Sequence, residues 1–106
     1  MKIRDVDHNK IYFDNGSCIH YDHDQNCCED NWADFDQLEE AAFEYEFDEE
    51  LVFEAVEGAG FRFGNKGGMM FFVPCYSDQN GCYTEDIDIY YKNELVLNFE
   101  CELRIE

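Results

Sequence analysis

From Leu95 to the end of the chain, apolar and polar side chains alternate. Leu95, Leu97, Phe99, Cys101, Leu103 and Ile105 fall on one side, and Asn98, Glu100, Glu102, Arg104 and Glu106 mostly on the other. A period of two belongs to a strand with one buried and one wet face, and it commits this part of the chain to an antiparallel sheet. The same period appears upstream. Leu51, Phe53 and Ala55 alternate with Val52, Glu54 and Val56; Gly58-Ala59-Gly60 breaks the run, and Phe61-Arg62-Phe63 resumes it. Asn65-Lys66-Gly67-Gly68 predicts a turn and Met69 to Val73 a strand. Pro74 is expected to end that strand, because proline has no N–H to give a ladder. Asp78-Gln79-Asn80-Gly81 predicts a further turn, and Tyr83 to Tyr91 with Leu95 to Ile105 reads as a long C-terminal hairpin joined at Lys92-Asn93-Glu94.

The N-terminal third reads as a three-stranded meander. Lys2 to Val6, Ile11 to Phe13 and Ser17 to Tyr21 are separated by Asp7-His8-Asn9 and by Asp14-Asn15-Gly16, the second carrying the Asn-Gly hairpin signal. Asp22 to Asn31 is polar, fits neither period and reads as a loop. Asp34 with Gln37 three residues later makes a capping-box pattern. Phe35, Leu38, Ala41, Ala42 and Tyr45 then follow helical spacing, predicting a helix over about 34–46 with an acidic outer face. The expected fold is α+β: one domain over residues 1–106, with a twisted antiparallel sheet of seven or eight strands packed against that helix.

Charge bounds the partner. The 106 residues carry 26 Asp or Glu against 7 Lys or Arg, a formal net charge of −19, and 17% aromatic residues speak for a packed core. Sixteen of the acids lie between Ile11 and Phe61, a stretch without Lys or Arg. Nucleic acids and anionic membranes draw their affinity from basic side chains, so direct binding to either is excluded as an expectation. A field of one sign attracts a basic protein. Crowding of Glu44, Glu46, Asp48, Glu49 and Glu50 at the unfavourable end of the predicted helix gives up local stability, which suggests a use for the charge. The start of the chain lacks the apolar stretch of a signal peptide, so a cytoplasmic protein with reduced thiols is expected.

His20, His23, Cys27 and Cys28 supply four zinc-type ligands within nine residues. Their spacing matches no known finger, and vicinal cysteines do not easily face one ion. A thiolate at Cys27, activated by an imidazolium, would be opposed by the surrounding carboxylates. Asp22, Asp24 and Asn26 begin like a calcium loop, but Cys27 and Ala33 occupy the positions that require glycine and a bidentate glutamate. There is no phosphate loop and no Ser-His-Asp arrangement. The chain therefore reads as a non-enzyme without a cofactor, with a zinc- or thiol-dependent protein built on those four residues as the competing class. An oligomeric structural protein paired through strand edges is a third.

Phe71 to Tyr83 combines a strand, a proline and an amide-rich turn, with Tyr76 and Tyr83 as rigid anchors for recognition. Cys27-Cys28-Glu29 after histidine, together with Pro74-Cys75-Tyr76-x-x-Gln79-Asn80-Gly81-x-Tyr83, resembles small phage and bacterial proteins without an assigned activity. That resemblance implies a phage setting and, by analogy, an inhibitor of host defence acting in the host cytoplasm. The expected partner is a basic, nucleic-acid-binding host protein such as a CRISPR effector or restriction nuclease, bound by nucleic-acid mimicry. The carboxylates expected to engage it are Asp36, Glu39, Glu40, Glu44, Asp48, Glu49 and Glu50, with Tyr76 and Tyr83 beside them.

Overall fold

The computed structural model describes residues 1–22, 30–79, 81 and 84–105. Its strands are β1 (Ile3–Val6), β2 (Lys10–Phe13), β3 (Cys18–Asp22), β4 (Asp30–Ala33), β5 (Leu51–Val56), β6 (Gly60–Asn65), β7 (Met70–Gln79), β8 (Asp86–Tyr91), β9 (Glu94–Glu100) and β10 (Glu102–Ile105). They form two five-stranded sheets, where one sheet of seven or eight strands was expected. The first runs β1-β2-β3-β8-β9, and the second β10-β7-β6-β5 with β4 also paired to β7. Ile11, Phe13, Ile19, Ile87 and Ile89 of the first sheet and Phe61, Phe63, Phe71 and Val73 of the second are buried in one common core. The fold is all-β.

The turns follow the local chemistry. Gly16 takes φ 89° between β2 and β3, and Lys92 and Asn93 both have positive φ, as a two-residue hairpin connection requires. The N-terminal meander therefore forms as the sequence predicts, and of the C-terminal hairpin the part from Asp86 to Glu100 does.

The expected helix does not form, and this corrects the α+β reading. Residues 34–50 carry only a 3-10 turn at Phe35–Gln37 and a single helical turn, α1 (Ala41–Glu44); the chain is extended at Leu38 and again at Tyr45. Asp36 and Glu40, Glu40 and Glu44, and Glu46 and Glu50 would be like-charge pairs at i,i+4, with no Lys or Arg in the segment to offset them. The apolar spacing is used in part: Phe35, Leu38 and Ala42 are buried and Tyr45 is half-buried, but Ala41 is exposed. Asp34 and Gln37 do meet, but side chain to side chain at 2.7 Å, and Asp34 makes no side-chain cap bond.

Three further expectations are corrected. Asp30–Ala33, read partly as loop, is a strand on β7. Pro74 does not end its strand. Cys75 N–H donates to Ala59 O and Pro74 O accepts from Asp34 N–H, so the proline nitrogen faces the β4 edge and the β6 ladder loses no donor. The last strand is divided: β9 belongs to the first sheet, β10 runs parallel to β7 in the second, and the change falls at Cys101, whose N–H donates to Glu85 O. Phe99 and Cys101 are buried, but Leu95, Leu103 and Ile105 are exposed, so the alternating set does not share one core face.

β4 and β10 both pair residues 76–78 of β7 and so occupy its two opposite edges. A polar network locks this junction. Asn31 Nδ2 donates to Thr84 O and Asp86 O at 3.2 and 2.8 Å. The Ser77 hydroxyl donates to Asn31 Oδ1, and Gln79 Nε2 donates to Ser77 Oγ at 2.7 Å. All three side chains are buried, and each is satisfied.

Candidate functional site

The connection from Asp34 to Glu50 is built from inward apolar pins and outward carboxylates. Phe35, Leu38, Ala42 and Phe47 are buried, and the Phe47 ring lies 4.9–5.6 Å from those of Phe13, Tyr45, Phe63 and Phe71. Asp48 N–H donates to Asn65 Oδ1 at 2.7 Å, and the Tyr91 hydroxyl donates to Glu49 O at 2.6 Å. With the backbone fixed from below, the side chains of Asp36, Glu39, Glu40, Glu44, Asp48, Glu49 and Glu50 are left exposed.

Few of them meet a cation directly. Among the described residues, Glu39, Glu40, Glu44, Asp48, Glu49 and Glu50 form no side-chain ion pair, and Asp36 has only His8 Nδ1 at 3.9 Å. Asp48, Glu49 and Glu50 come together in a recess of about 420 Å³ that also contains Lys66. Asp36 lines a different recess, of about 390 Å³, with Asp30, Asp34, Trp32, Tyr21 and His8. The carboxylates thus form a strip along one connection and do not converge on one point.

Tyr76 adjoins the start of that strip, because Gln37 Nε2 donates to its hydroxyl at 3.1 Å. Its ring packs against Trp32, with centroids 5.2 Å apart. Sequence pattern places neither Trp32 nor Gln37 beside Tyr76. Trp32 sits where no strand was expected, and Gln37 was assigned to a helix cap. The lone tryptophan was the available signal. Tyr83 lies outside the described residues.

No family model, curated protein or solved structure matches the chain.

Of the expected zinc ligands, His23, Cys27 and Cys28 lie outside the described residues, and among those described no three His, Cys, Asp or Glu side chains group as ligands. His20 stacks on Tyr90 with centroids 5.1 Å apart and an interplanar angle of 11°, and its Nδ1 has no hydrogen-bond partner among the described residues. Burial holds its imidazole pKa below the usual 6.5, and Lys10, opposite on β2, adds to the effect against Asp22. The unfolded chain therefore takes up this proton first. His20 contributes stability that is present above about pH 6.5 and is lost as pH falls through its lowered folded value. An NMR titration should place the His20 midpoint below 6.5; a midpoint at or above 6.5 would contradict its stacked, desolvated position.

Cys75 and Cys101 are buried side by side, and burial, with the Cys101 thiol as neighbour, pushes the Cys75 thiol far above its ordinary range. These thiols pack as small apolar groups and are poor nucleophiles. No helix among the described residues is long and apolar enough to cross a membrane.

Proposed function

We propose that this protein acts by binding and not by catalysis: it is a phage-type inhibitor that occupies the nucleic-acid groove of a basic host defence protein, a CRISPR effector or a restriction nuclease. The carboxylates of residues 36–50 stand in for phosphates. The observation that carries this reading is the strip itself, with Glu39, Glu40, Glu44, Asp48, Glu49 and Glu50 exposed, held on an aromatic-pinned backbone and free of ion pairs among the described residues. Unpaired carboxylates on a held backbone give up no existing partner on meeting Lys and Arg, and their combined field speeds the encounter.

The test is a pull-down from host lysate with wild-type protein and with Glu40→Lys/Glu44→Lys, washed at about 0.1 M and about 0.5 M salt, since the roughly 10 Å screening length shrinks between them. Wild type should recover a nucleic-acid-binding protein that the higher salt releases and that DNA or RNA displaces. The double variant should bind about ten-fold more weakly or worse, with unchanged thermal unfolding because both side chains are exposed. Equal recovery by the variant, or a captured protein indifferent to nucleic acid, would remove the reading.

A further inference from the structure

The outer face of the second sheet carries side chains that neither the core nor the acidic strip uses. Strand register puts Trp32, Tyr76 and Glu102 in one row across β4, β7 and β10, with Pro74 and Phe72 next along β7. Phe72, Pro74 and Tyr76, with Gln37, Ala59 and Glu102 around them, line a recess of about 280 Å³. That is room for one or two side chains, below the usual small-molecule range of roughly 300–1,000 Å³. Phe72 is 39% exposed although its strand lies inside the sheet.

Tyr76 is held rigidly. Its ring is packed by Trp32, and the Arg104 guanidinium lies 4.8 Å from its centroid. Its hydroxyl accepts from Gln37 and donates to no group among the described residues, so a hydrogen remains for an incoming carbonyl. The local cations are spent: Arg104 Nε is 2.9 Å from Asp78 Oδ1, and Arg62 is paired with Glu54. Glu102 has no cationic partner among the described residues, so the recess presents aromatic surface, one hydroxyl donor and one carboxylate.

We propose that this recess docks an extended, proline-containing basic segment of the partner protein. The proline seats against Phe72 and Tyr76, a neighbouring carbonyl accepts from the Tyr76 hydroxyl, and a nearby Lys or Arg pairs with Glu102. Polyproline-type segments suit such a seat because they are already extended, expose their carbonyls and lose little entropy on binding. A second copy is a poor occupant, since each chain carries −19. The proposal rests on the reading above for the sign of the partner, but it uses Phe72, Pro74, Tyr76 and Glu102 and none of the carboxylates of residues 36–50.

The probe is a fluorescein-labelled peptide of repeating Arg-Pro-Leu-Pro, with controls in which Glu replaces Arg or Gly replaces Pro, titrated into the intact protein at about 0.15 M salt. Saturable binding with amide shifts at Phe72, Val73, Cys75, Tyr76 and Glu102 is expected. Tyr76→Ala should weaken it by about ten-fold, Glu102→Lys by a similar factor, and Tyr76→Phe, which keeps the ring, by about three-fold. Glu40→Lys/Glu44→Lys should leave it nearly unchanged. Shifts confined to 36–50, equal binding of the glycine peptide, or indifference to both Tyr76→Phe and Glu102→Lys would overturn the proposal, as would sedimentation showing this face buried between two copies. Capture in the pull-down with normal binding by Tyr76→Ala would remove this docking site alone. Peptide binding without capture would remove the mimicry reading alone.

Discussion

Gly60→Ala should lower the urea midpoint of unfolding more than any surface substitution, with a loss of roughly 3 kcal/mol or more. Gly60 opens β6 and pairs with Pro74 on β7. A Cβ there would overlap the Val73 carbonyl oxygen and approach Pro74 Cα to 2.9 Å and Phe72 Cζ to 3.0 Å. The first two are backbone atoms and cannot swing away, so the β6–β7 ladder itself would have to shift. Gly58→Ala is the control. It sits in the turn just before β6 with φ 76° and open space around it, and its cost should be only about 1 kcal/mol, from backbone strain alone. If the two variants unfold at the same urea concentration, the close approach of β6 to β7 is not what holds the hairpin.

Phe47→Ala should cost about 3–5 kcal/mol, the range for emptying an aromatic site in a packed core. The ring is 1% exposed and touches Phe13 from the first sheet and Phe63 and Phe71 from the second, so it bridges both halves of the core. It also pins the end of the acidic connection. Hydrogen exchange at Asp48 N–H, which is bonded to Asn65, should accelerate along with the loss of stability. Phe43, 38% exposed on the same connection, should lose under about 1 kcal/mol on truncation to alanine. A Phe47 variant no weaker than the Phe43 variant would mean that the acidic strip holds itself up without the core.

Where local chemistry decided the structure, the sequence was readable. Asn15-Gly16 and Lys92-Asn93 turned the chain at the expected places, and the burial of Phe35, Leu38 and Ala42 followed their spacing. The helix failed because periodicity records only which side chains face inward; it does not register the repulsion of carboxylates with no cation between Ile11 and Phe61. Pro74 misled because the missing donor matters only on the edge it faces, and that edge is fixed by partners distant in the chain. Leu103 and Ile105 misled because the strand changes sheets at Cys101, so an unbroken pattern spans two environments. Of the candidate site, the acidic strip was legible as a run of charge. Trp32 and Gln37 were not, because they reach Tyr76 only through the β4–β7 pairing.

The two edges of β7 also set an order of events during synthesis. β4 precedes β7 in the chain and can pair with residues 76–78 as soon as β7 emerges, whereas β10 lies beyond β8 and β9. A nascent chain that has reached β7 therefore shows an open strand edge until translation has passed two further strands. Such an edge is a template for pairing with a neighbouring chain on the same polysome. Sixteen carboxylates between Ile11 and Phe61 have already been made by then. The carboxylates proposed to meet a basic partner in the finished protein thus also repel half-made copies of the chain from one another.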